Sequence, residues 1–243
     1  MNALWLTRMC AYKHSRHALE SAKRLIELKI VRESILLQRY RLAPFVPDFS
    51  GVRTMQDILL VEARAARYFW KAFRDLLPGR TSFPGRQPGS DDPVNRLLDI
   101  GYHHLTGIVR RYLEERGVSA VLGLLHSARK SASAPLAYDL VEIFRADTVD
   151  AEILRFFRLK KKPVLSATAE IAHFLHELNE RLDRPHYLKN FKRCHAYRYY
   201  MEVQILKFIR AVDRREPFSP LFLPARHDSR CCTSSDTYGT PPN

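Results

Sequence analysis

An all-α fold follows from three observations on this chain of 243 residues. Apolar residues recur with helical period in nearly every segment. No stretch alternates convincingly as a strand would, and Pro, Gly and Ser gather in short breaks between the periodic runs. With 46% hydrophobic residues the chain can bury a real core, so one compact multi-helix domain with no sheet is expected. A mostly helical domain with one minor hairpin is the second choice.

The elements follow in order. Residues 3–41 carry a long helical pattern through Leu25, Ile26, Lys29, Ile30, Glu33 and Leu36, ending near Ala43 and Pro44. Thr54 and Asp57 are spaced as a capping signal for a helix to Leu77. Pro78–Ser90 reads as a basic loop. Asp92, followed by Pro93, opens a helix that Gly117 closes. A short apolar segment, VSAVLGLLH, leads to a Ser/Lys loop at 127–134. Pro135 then starts a helix through Arg145, and Asp147 with Asp150 restarts one to Leu159. Residues 164–182 and 187–214 read as two more helices. The domain is therefore drawn at residues 1–217, with 218–243 as a flexible tail rich in Pro, Ser and Thr.

Lys and Arg number 40 against 26 acids, a net charge of +14. That excess favours a polyanionic partner, nucleic acid first and an anionic membrane surface second. No stretch approaches the roughly 20 apolar residues of a membrane span. The N-terminus lacks a signal-peptide pattern, so a cytoplasmic location is expected. Cys10, Cys194, Cys231 and Cys232 form no CxxC pair, which argues against structural zinc and for inert thiols. HELNE at 176–180 is not HExxH, and neither GxGxxG nor a phosphate-binding GxxxxGK[ST] is present.

Candidate chemistry sits in three segments. Glu62 falls in line with Ile58, Ala65, Phe69 and Phe73 on one helical face, and a carboxylate on an apolar stripe needs a partner. His126 ends an apolar run. Asp139 and Glu142, three apart, share a helical face. Two acidic sites and an imidazole on separate segments, each near Arg or Lys, suit a divalent ion beside a phosphodiester, with Mg or Mn the ions of choice. One of Asp139 and Glu142 would bind the ion while the other orients a ligand. Alternatively Asp139 caps a helix or salt-bridges Arg145, and Glu142 is simply an exposed acid. Lys160–Lys162 and the Arg80–Arg86 loop are candidates for phosphate contact, while Phe156 and Phe157 read as core.

Taken together, the segments resemble the CRISPR-associated integrase of spacer acquisition, also called the CRISPR-associated endonuclease. The resemblance rests on E-x-x-x-A-R-Y-F-W at Glu62–Trp70, DPVNRLLDIGYHHL at 92–105, and the run from Gly117 to Asp150 with its LGLLH and DLVEIFRADTVD pieces. It spans roughly residues 18–223. It implies an all-helical catalytic domain binding Mg or Mn through Glu62, His126 and Glu142, with Asp139 auxiliary. It further implies metal-dependent cleavage and transesterification on double-stranded, branched or fragment-end DNA. The implied partners are the small protein of the adaptation complex and a second copy as homodimer. Family members usually begin with a β-rich domain, whereas this chain starts almost at the first catalytic helix. A truncated, non-catalytic DNA-binding remnant is the alternative expectation, with dimerisation and partner binding dependent on the N-terminal region.

Overall fold

The computed structural model describes residues 3–79, 81–126, 134–159, 168–188 and 191–223. The all-α expectation holds: α1 (Ala3–Lys13), α2 (Arg16–Arg39), α3 (Met55–Leu76) and α4 (Pro93–Glu115) come first. They are followed by α5 (Pro135–Val141), a π-helical turn (Ala146–Asp150), α6 (Ala151–Leu159), α7 (Thr168–Asp183) and α8 (Tyr197–Arg214). The long N-terminal pattern divides at Ser15, whose side chain accepts from the His17 N–H as N-cap of α2.

One expectation is corrected. The pattern over 187–214 predicts one helix, but β1 (Pro185–Leu188) and β2 (Arg193–Ala196) form an antiparallel hairpin before it, with His186 opposite His195. Pro185 disfavours helix in the residue before it, and the chain turns through Lys192, whose φ is +52°. The hairpin is the second-choice reading realised at the edge of an otherwise helical domain.

Capping signals fix two of the site-bearing helices. At α3, Asp57 N–H donates to Thr54 Oγ1 and Thr54 N–H to Asp57 Oδ2, the reciprocal box expected from sequence. The apolar stripe Ile58, Val61, Ala65, Phe69 and Phe73 is buried, which aims neighbouring Glu62 at the domain interior. At α4, Asp92 accepts from Asn95 N–H and Pro93 occupies the first turn. Gly101 permits close packing: a Cβ there would lie 2.6 Å from Val149 Cγ1 of the π-helical turn.

The C-terminal segment also departs from expectation. The chain from Phe218 to Leu223 does not fray: Phe218 is fully buried and its N–H donates to Ser21 Oγ at 2.7 Å. Gln204 Nε2 and Arg32 Nη1 donate to the carbonyls of Leu221 and Leu223. Residues 218–223 are therefore held in the fold: Phe218 and Leu223 are buried, and side chains of α2 and α8 bond the backbone of the segment. The cysteine reading is also revised, since Cys194 is disulfide-bonded while Cys10 is free and exposed. Lys160–Lys162, Arg80, the 127–133 loop and residues 224–243 lie outside the described residues. No helix among the described residues is long and apolar enough to cross a membrane.

Candidate active site

Three helices bring charge into one buried place. Lys29 of α2 lies 2.5 Å (Nζ) from Glu62 Oε1 of α3 and 2.8 Å from Glu142 Oε2, just past α5. Arg145 pairs with the other Glu142 oxygen. Its guanidinium stacks 3.7 Å from the centroid of Tyr102, whose hydroxyl donates to Asp150. Burial opposes ionisation of Glu142, yet Arg145 and Lys29 outweigh it and hold the carboxyl down at about 2. Glu33, one turn along α2 from Lys29, has the opposite outcome: burial pushes it up to about 7 despite Lys29. Burial likewise raises Asp150.

The histidine is built separately. Asp139 is fully buried and accepts the backbone N–H groups of Leu124, Leu125 and His126. Its Oδ1 also lies 2.7 Å from His126 Nδ1. This carboxylate fixes both the loop and the ring, which leaves Nε2 on a half-exposed imidazole. Gly123 is required there: a Cβ would meet His126 O at 2.6 Å and Asp139 Oδ2 at 2.8 Å. The bond to Asp139 raises the His126 proton affinity against the effect of burial, and the charges of Glu142 and Glu62 add to it.

Glu62 and Glu142 thus meet at one cation, and His126 stands near enough to feel both. Among the described residues no three or more His, Cys, Asp or Glu side chains form a ready cage for an ion. The donor set nonetheless fits a divalent cation. Glu62 and Glu142 already share a positive charge, both Glu142 oxygens face cations, and Asp139 orients an imidazole. Asp139 is neither a helix cap nor a partner of Arg145, and Glu142 is not a solvated acid. Arg145 takes Glu142 instead.

Lys29, Glu33, Tyr102, Arg145 and Asp150 were missed as site residues. Lys29 and Glu33 did carry a signal, because both interrupt the apolar face of α2 at positions 25, 26, 29, 30, 33 and 36. Arg86, assigned to phosphate contact, is instead spent within the fold: its Nη2 lies 2.5 Å from Asp99 Oδ1 and its Nη1 donates to Asn95. Phe156 and Phe157 are core, as expected.

The sequence profile of the CRISPR-associated protein Cas1 matches residues 2–177. The chain belongs to the Cas1 family. The CRISPR-associated endonuclease Cas1 1 of Saccharolobus solfataricus is 31% identical over 169 residues, covering 64% of this chain and 47% of that protein. Cas1 of Hyperthermus butylicus is 31% identical over 163 residues, covering 58% of this chain and 48% of that protein. This chain spans about half the length of the curated relatives it matches. Among solved structures, a casposase bound to its integration product superposes with a TM-score of 0.76 at 21% identity, over 95% of this chain and 72% of that one. At that identity the likeness shows a shared fold and nothing more.

Proposed function

We propose that this chain carries the catalytic helical part of a Cas1-type DNA endonuclease and integrase of spacer acquisition, dependent on Mg or Mn. The observation that carries this reading is the pair Glu62–Glu142 around one positive charge beside an Asp139-oriented His126. Glu62, Glu142 and His126 Nε2 would hold the ion. When bound, it supplies Lewis-acid polarisation of a scissile phosphate.

The chain's own residues do the rest. Asp139 keeps the proton on His126 Nδ1, so the lone pair stays on Nε2. Arg145 fixes the Glu142 carboxylate against Tyr102 and, with Lys29, holds it well below the usual carboxylate range. Lys29, released from one carboxylate, stays close to the developing negative charge of the reacting phosphate. A DNA 3′-hydroxyl as nucleophile gives strand transfer, whereas water gives cleavage. DNA fits the net charge of +14. The relatives' names, which call them endonucleases, support the same chemistry here. The small partner protein and the dimer of the family remain part of this proposal.

The test incubates the chain with branched DNA, and with a 3′-hydroxyl fragment plus repeat-bearing plasmid, in Mn, Mg or EDTA. Products that form only with metal and vanish in Glu62→Gln support the reading. DNA binding without products would favour the non-catalytic remnant, a role that the Lys29 bridge across both carboxylates would suit.

A further inference from the structure

A second charged site lies at the far end of α2. A cavity of about 300 Å³ is lined by Arg39, Asp147, Arg181, Arg184, His186 and Tyr197. The residues come from the end of α2, the π-helical turn, the end of α7, β1 and the start of α8. Three guanidinium groups therefore face one carboxylate, and that carboxylate is already committed. Arg32 holds Asp147 through two hydrogen bonds of 2.6 Å, and the Tyr197 hydroxyl donates to it at 3.0 Å.

Arg39 is left at 3.8 Å from Asp147 Oδ1, beyond hydrogen-bond distance, with its side chain 42% exposed. Arg184 is exposed at the mouth. Arg181, inside, has its proton affinity lowered by burial and by the charges of Arg184 and Arg155, even though Glu152 lies 3.0 Å away. The cavity thus concentrates positive charge that its own acid does not neutralise. Guanidinium groups around a concave, partly dry site match the oxygens of a phosphate or a carboxylate, and in a chain of net charge +14 a phosphate of nucleic acid is the favoured one.

We propose that this cavity binds a backbone phosphate of a single DNA strand whose reacting end lies at Glu62 and Glu142. The inference rests on the functional reading above. α2 supplies the spacing: Lys29 and Arg39 are ten residues apart on one helix, about 15 Å along its axis. An extended single strand crosses that distance in a few nucleotides. The volume exceeds what a lone phosphate needs, which leaves room for the attached sugar. α2 would then tie the strand's position to the reacting end through a rigid element.

The experiment measures fluorescence anisotropy of labelled dT12 in EDTA, so that no metal chemistry contributes. Arg39→Gln/Arg184→Gln is compared with wild type and with Arg53→Gln/Arg110→Gln, a control with the same charge loss on exposed positions elsewhere. The cavity pair should weaken dT12 binding about tenfold and lower the log–log salt slope by about 0.7 for one lost phosphate contact. The control should change affinity much less. Arg39→Lys should recover part of the loss, because a point charge replaces a fork.

Equal weakening by control and cavity pair would overturn the proposal in favour of diffuse attraction. Unchanged binding by the cavity pair, with wild type still binding dT12, would overturn the cavity alone and leave the metal-site reading intact. Wild type that binds no dT12 would overturn both. Inorganic phosphate followed by ³¹P NMR separates the sources: binding abolished by the cavity pair, with dT12 unaffected, would assign a small free anion and end the DNA assignment.

Discussion

Lys29 Nζ stands 2.5 Å from Glu62 Oε1, a contact that joins α2 to α3 at the centre of the candidate site. With Glu142 Oε2 only 2.8 Å from the same nitrogen, one ammonium balances two nearly dry carboxylates. Burying any one of these groups alone would cost several kcal/mol. Together they cost less, and any divalent ion shared by the two acids must compete with Lys29 for the same oxygens.

Lys29→Met should therefore act in opposite directions with and without metal. In EDTA, Glu62 and Glu142 lose their common counter-charge, and the domain should lose about 3 kcal/mol. Added Mn should restore much of that loss, and Mn affinity should exceed that of wild type. Thermal melts in EDTA and in a Mn series read both effects. A variant as stable as wild type in EDTA, with unchanged Mn affinity, would contradict the competition.

Gly123→Ala tests how the histidine is held. A methyl group would meet His126 O at 2.6 Å and Asp139 Oδ2 at 2.8 Å, so the loop must shift and loosen the His126 ring. The expected result is a metal affinity about 10- to 100-fold weaker, with a stability loss of about 1–3 kcal/mol. Isothermal titration with Mn, paired with a melt, separates the two. A stability loss with full metal affinity would show that the ring needs no such positioning.

Sequence made Glu62, His126, Asp139 and Glu142 legible because each is a polar residue set where periodicity demanded an apolar one. The same logic already pointed at Lys29 and Glu33 on α2, but a charged residue inside a long helix reads equally well as a solvated face. What sequence could not give was pairing. That Lys29 bridges α3 to α5, or that Arg145 takes Glu142 and stacks on Tyr102, depends on distances between segments far apart in the chain. The hairpin was hidden for a different reason. Tyr197 and Tyr200 continue a helical pattern backwards through β2, and only the turn at Lys192 interrupts it. Arg86 was misread because an arginine in a loop advertises charge and says nothing of Asp99 nearby.

Metal binding should strengthen as pH rises through the His126 transition. Its bond to Asp139 raises the proton affinity above the ordinary value of 6.5, so the ring stays doubly protonated to a higher pH than a free imidazole. In that form Nε2 has no lone pair to give. Glu142, held at about 2, is ionised throughout and contributes nothing to the pH dependence. Mn titrations between pH 6 and 8.5 should show affinity rising with pH in wild type. The rise should be much reduced in His126→Gln, and an equal slope in that variant would remove His126 from the ligand set.

Glu33 makes the domain lose stability on the alkaline side. Its carboxyl, raised by burial to about 7 against an ordinary 4.5, binds a proton more tightly folded than unfolded. The proton's contribution is fully present below pH 4.5 and is lost as pH rises through 7, an effect of about 3 kcal/mol at most. Glu142 has the opposite sign: its contribution is present above 4.5 and is lost as pH falls through about 2. Glu33→Gln keeps the shape and cannot ionise. It should match wild type near pH 4.5 and exceed it by about 2–3 kcal/mol at pH 8. Denaturant unfolding at the two pH values measures the difference directly. A variant less stable than wild type at pH 8 would mean that ionised Glu33 is a net stabilising partner of Lys29, and that the cluster needs all three carboxylates charged.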